Sequence, residues 1–255
     1  MNAKTLLPIC LLSGLLIHAS RAEDPFTDDM ARELEHVVLN SLSSFKHDFD
    51  VTLQSQELMG VLEKELTGGN PIPVSIKELV AENKDGEGSF RVALHGLGLP
   101  ADTMREIEKQ ANTYLNKSEI NEIWAMITKD FIQDANDVIA RAGDKVKVLK
   151  QDEKTLLLGA DGLNEPFRDE VELNAVRLVV DRRLQLMRGV RMTLSGNKQL
   201  IVKLHYDMHR LKNQSSPVPA ISSAEIQHNA WLGRMLGLIK LPNKATILFT
   251  NYNFK

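Results

Sequence analysis

The chain has 255 residues, a formal net charge of −3, a single cysteine and only 5% aromatic residues. A mildly acidic chain with no basic block lacks the clustered positive footprint that nucleic acid demands, and one cysteine excludes a disulfide framework. So few aromatics argue against a surface that stacks sugars or bases.

Residues 1–22, MNAKTLLPICLLSGLLIHASRA, have the layout of a secretory signal peptide. Lys4 precedes an apolar run from Leu6 to Ile17, and the small residues Ser20 and Ala22 stand before a cut ahead of Glu23. The run is short for a membrane span, which needs about 20 residues. Cleavage near Ala22 removes Cys10 with Lys4 and Arg21, so the mature chain is more acidic, has no thiol and carries no transmembrane span. Export without cysteine fits a bacterial periplasm, or secretion, better than the endoplasmic reticulum. Two glycosylation sequons, Asn116-Lys-Ser118 and Asn213-Gln-Ser215, matter only on a eukaryotic secretory route.

Thr27 caps a first helix, with Asp28 and Asp29 at its positive end and Met30, Leu34, Val37, Val38 and Phe45 as its apolar stripe. A second helix spans about Gln56–Leu66 and stops at Gly68-Gly69. Asn83 to Gly88 is a turn, and Phe90, Val92 and Leu94 alternate as in a strand. The capping box Thr103-Met-Arg-Glu106 opens a helix to about Leu115, and Ile120 to Val138 makes a longer one ending at Gly143. Lys145–Val148 and Thr155–Leu158 read as a hairpin, Pro166 to Arg188 as a helix, and Val190–Leu194 with Leu200–Tyr206 as a second hairpin. After the Pro/Ser-rich connector 213–223, a helix from Ser223 to about Ile239 and a strand near Thr246–Asn253 follow. The predicted class is α+β, with a helix-rich N-terminal part and hairpins and mixed strands in the C-terminal part. Residues 23–255 form one such domain, or two lobes at 23–143 and 144–255.

The candidate metal ligands are His205, Asp207 and His209, in HYDMH. On a helix the two histidines lie about 6 Å apart along the axis and can share zinc. On a strand they lie about 13 Å apart and cannot. Val202, Leu204, Tyr206 and Met208 alternate with polar residues, which favours the strand; Leu200, Leu204, Met208 and Leu211 make a helical stripe nearly as regular. Tyr206 stands where a zincin has its general-base Glu. Asn83–Leu94 resembles the front half of an EF-hand calcium loop in Asn83, Asp85, Glu87, Gly88 and Phe90, but Leu94 occupies the place of the bidentate Glu, so a hairpin turn is the better reading. Glu33/His36 and Glu225/His228 have di-iron spacing at about the frequency expected by chance.

No G-x-S-x-G, P-loop or G-x-G-x-x-G occurs. Trp231 to Leu241 is the most apolar mature stretch, a buried helix or a partner-binding one through Trp231 and Met235. The expected function is that of an exported, non-enzymatic protein acting through protein–protein or cell-envelope contacts, such as a secretion or envelope-assembly accessory. The alternative is a metal-dependent hydrolase using His205 and His209.

Overall fold

The computed structural model describes residues 24–66, 74–96, 98–117, 129–168, 171–212, 214–228 and 243–255. An eleven-stranded sheet runs through it. The strands are β1 (Asp24–Pro25), β2 (Phe49–Gln54), β3 (Val74–Lys84), β4 (Glu87–Gly96), β5 (Val146–Gln151), β6 (Thr155–Arg168), β7 (Val171–Asp181), β8 (Leu186–Leu194), β9 (Lys198–His209), β10 (Val218–His228) and β11 (Lys244–Phe254). The helices are α1 (Asp28–Ser41), α2 (Gln56–Leu66), α3 (Ala101–Lys117) and α4 (Lys129–Ala142). The order across the sheet is β1-β5-β6-β7-β8-β9-β10-β11-β2-β3-β4. Strands β5 to β10 form a meander, and β11 then pairs with β2, placing β2, β3 and β4 beyond it.

This overturns the expected helix-rich N-terminal part and the α+β class: the protein is mainly sheet. Two predicted helices are strands. Most of the 166–188 stretch lies in the end of β6, in β7 and in the start of β8, and Ser223–His228 completes β10. Residues 229–239 of the second, with Trp231 and Met235, lie outside the described residues, as do the predicted leader 1–22 and the front of the predicted 120–138 helix. Thr103 sits inside α3, which begins at Ala101. The hairpins β5–β6 and β8–β9, the strand near 246–253, the second helix and the Thr27 cap match expectation. Thr27 Oγ1 accepts the Met30 N–H at 3.3 Å.

Side chains alternate across the sheet, so one face can be apolar. Leu156, Leu158, Leu178, Val190, Met192, Val202 and Leu204 point to one side and are buried in one cluster with Leu34, Val37, Phe131, Ile132 and Ile139 of α1 and α4. At the far edge, α3 lies along β4 and satisfies its outer backbone groups. Glu108, Asn112 and Asn116 repeat every fourth residue and so share a helix face. Their oxygens accept the N–H groups of Leu94, Val92 and Phe90 at 2.8, 2.7 and 2.8 Å. The two amides also donate to the carbonyls of Val92 and Phe90 at 3.1 and 2.8 Å. Asn116 thus uses its sequon amide to hold the sheet edge.

Tyr206 and Tyr252 are deeply placed, and burial pushes both phenols above their ordinary range. The Tyr252 hydroxyl donates to the Ile221 carbonyl at 2.8 Å. A raised folded-state value leaves stability intact below the unfolded value of about 10 and removes it as pH climbs above that. Melting temperature is therefore expected to drop between pH 9 and pH 11, with a shallower drop in Tyr252→Phe. An equal drop in the variant would refute the assignment.

Candidate functional site

The face of the sheet opposite α1 and α4 carries an apolar groove of about 690 Å³. It is built from side chains that alternate with the core set. Pairing places Leu157, Val179, Gly189 and Lys203 in one row across β6 to β9. The neighbouring row is Gly159, Arg177, Arg191 and Ile201. Leu157, Val179 and Ile201, with Leu149 of β5, form the apolar floor. Val179 remains 36% exposed and Leu149 37%, so this apolar surface faces solvent.

Two glycines shape it. A Cβ at Gly189 would stand 3.0 Å from the Val202 carbonyl oxygen, and one at Gly159 would stand 2.7 Å from Leu149 Cδ1. Gly189 therefore leaves a dip in the middle of its row, and Gly159 makes room for Leu149 to lie over the sheet. The strands also part here. β8 pairs with β9 only from Gly189/Lys203 to Leu194/Lys198, while β9 runs on to His209 paired with β10. Ser41 of α1 supports the parting from the core side: its hydroxyl accepts the Met187 N–H at 2.9 Å and donates to the Val37 carbonyl at 2.7 Å.

The rim is cationic. Arg177, Arg188, Arg191, Lys203 and His205 line the groove. Arg177 meets both oxygens of Asp161 at 2.7 Å, Arg188 meets Asp181 at 3.2 Å, and Lys203 meets Glu225 at 3.0 Å. The Lys203 bond holds the Glu225 carboxyl below the usual carboxylate range. Arg191 is exposed and has no ion-pair partner among the described residues.

No family model matches the chain, and no curated protein matches it. One solved structure is similar: "putative outer membrane lipoprotein-sorting protein domain from Vibrio parahaemolyticus", at a TM-score of 0.38 and 9% identity, covering 88% of this chain and 93% of that one. Among the described residues no helix is long and apolar enough to cross a membrane.

The residues singled out in the sequence fall in separate places. HYDMH is the end of β9, a strand, so His205 and His209 stand about 13 Å apart along it. His205 reaches the groove and lies 3.9 Å from Glu225, while His209 packs on Tyr252 and Phe254, with ring centroids 5.0 and 5.5 Å away. Asp207 is exposed between them. Among the described residues no group of three His, Cys, Asp or Glu is placed to hold one ion. Asn83–Leu94 is the β3–β4 hairpin, turning at Asp85 and Gly86 with φ of 53° and 81°, as a two-residue turn requires. The Asn83 side chain is buried and donates inward to the carbonyls of Phe45 and His47. Glu33 pairs with Arg182 at 2.8 Å, and Glu225 and His228 sit on a strand, where the helical i, i+3 argument lapses.

Proposed function

We propose that the protein is exported and non-enzymatic, works by contact within the cell envelope, and uses the open-face groove as its binding surface. The observation that carries this reading is solvent-facing apolar floor on a sheet whose other face already holds the core. Contiguous exposed apolar surface with a polar rim is the usual mark of a binding site. The signal-peptide pattern of residues 1–22 supports the route, and mass spectrometry of the exported protein should find a chain beginning at Glu23.

Nile red, a neutral apolar dye, tests the surface itself. Wild-type protein is expected to bind about one dye per chain with a rise in fluorescence, and Val179→Glu to reduce affinity at least tenfold, because the new carboxylate must lose water on contact with the dye. Unchanged binding by a folded Val179→Glu protein would place the binding surface elsewhere.

A further inference from the structure

We propose that the groove binds a single-chain fatty acid, with its carboxylate at Arg191 and its tail across Gly189 toward Val179, Leu157 and Leu149. This rests on the reading of the groove as the binding surface and adds to it the chemistry of the ligand. Three of the rim's permanent cations are already matched: Arg177 by Asp161, Arg188 by Asp181 and Lys203 by Glu225. Arg191 is the rim arginine left without an anion among the described residues. A ligand complementary to this rim therefore brings one negative charge. A guanidinium presents a planar fork of donors that fits a carboxylate with two parallel hydrogen bonds.

The arrangement also sets the shape of the rest of the ligand. Arg191 lies two residues beyond Gly189 on β8, so both face the groove about 7 Å apart. From β8 the floor continues across β7 and β6 to β5, a further three strand spacings or about 14 Å. Gly189 is the one member of its row that carries no side chain, which leaves the tail a passage beside Lys203. A narrow, flexible, apolar tail suits that passage.

Calorimetric titration with dodecanoate and dodecyl phosphate, each kept below its micellar concentration, and with dodecanol, kept below its solubility limit, tests the assignment. Dodecanoate is expected to bind one per chain, about tenfold more tightly than dodecanol and no more weakly than dodecyl phosphate. Arg191→Gln should bring dodecanoate down to the affinity of dodecanol and leave dodecanol unchanged; Arg191→Lys should restore part of the difference. Val179→Glu, or the milder Val179→Thr if the former fails to fold, should weaken both. Equal binding of dodecanoate and dodecanol, or an Arg191→Gln variant that still tells them apart, overturns the carboxylate assignment while the groove stands. Tighter binding of dodecyl phosphate overturns the carboxylate in favour of a doubly charged head. If none of the three binds and Nile red is also indifferent to Val179→Glu, both the ligand and the groove are wrong.

Discussion

Asn112→Ala is expected to lower the free energy of unfolding by about 2 kcal/mol, and the Asn112→Ala/Asn116→Ala pair by about 3–4 kcal/mol. Asn112 accepts the Val92 N–H and donates to the Val92 carbonyl, and Asn116 does the same for Phe90. Truncation leaves backbone donors and acceptors at a partly buried position without partners, which costs more than the bonds themselves contribute. The second consequence is association, because an uncovered edge strand offers its backbone to another chain. Urea unfolding reads the first effect, and light scattering on a sizing column at rising protein concentration reads the second. Asn112→Asp keeps the acceptor for Val92 N–H and loses the donor, so it should fall between wild type and Asn112→Ala. A double variant that stays monomeric and within about 0.5 kcal/mol of wild type would mean that buried Ala111 and Leu115, with the Glu108 bond to Leu94, suffice to hold α3 to the sheet.

The other large effect separates the two faces of the sheet with adjacent residues. Leu178 on β7 is fully buried, and its neighbour Val179 is 36% exposed on the groove side. Leu178→Ala is expected to cost about 3 kcal/mol, from lost transfer energy and the cavity left in a packed core. Val179→Ala should cost under about 1 kcal/mol, as it removes atoms that already touch water. Binding should invert the order, with Val179→Ala losing Nile red affinity and Leu178→Ala retaining it while folded. Comparable stability losses at the two positions would show that the open face is covered in solution.

The strands misread as helix carry bulges, whereas β8 and β9 alternate without interruption where they pair with each other; β11 reads as a strand despite its irregularity between Thr250 and Asn253. In β7 the pairing shifts between Leu173 and Ala175, so the inward residues run Leu173, Val176, Leu178, Val180. A spacing of three followed by twos imitates a helical stripe. β6 adds a break between Asp161 and Glu165, with positive φ at Gly162 and Asn164, which places Pro166 in a strand instead of at a helix start. β10 repeats the pattern: its bulge between Ile221 and Ser223 makes Ile221, Ala224 and Ile226 the inward set, again a spacing of three followed by two. β3 also carries a bulge, between Ile76 and Glu78, which breaks its alternation. β2 has no bulge: Phe49, Val51 and Leu53 alternate cleanly, so this strand is legible in the sequence.

The groove was beyond reach for a different reason. Its residues come from five strands, and what unites Leu157, Val179, Gly189 and Lys203 is lateral register, which leaves no trace in linear spacing. Gly189 illustrates the loss. In sequence it follows the stretch predicted as a helix to Arg188, and in the sheet it lies in the groove opposite Val179 and Lys203. The sequence sets His205 against His209, whereas in the sheet its neighbours are Lys203 and Glu225.

The pairing of β11 with β2 bears on the order in which the protein can fold. Thr250 and Thr52 meet across 198 residues of chain. Strands β5 to β10 can zip in sequence as they are synthesised, each onto the one before. The unit of β2, β3 and β4, made first, has no sheet to join until β11 arrives at the end. Until then its inward residues Val51, Leu53, Leu79 and Val92 must stay shielded by α2 and α3 or by a chaperone. Closing so long a loop is the slow, entropically costly step of folding.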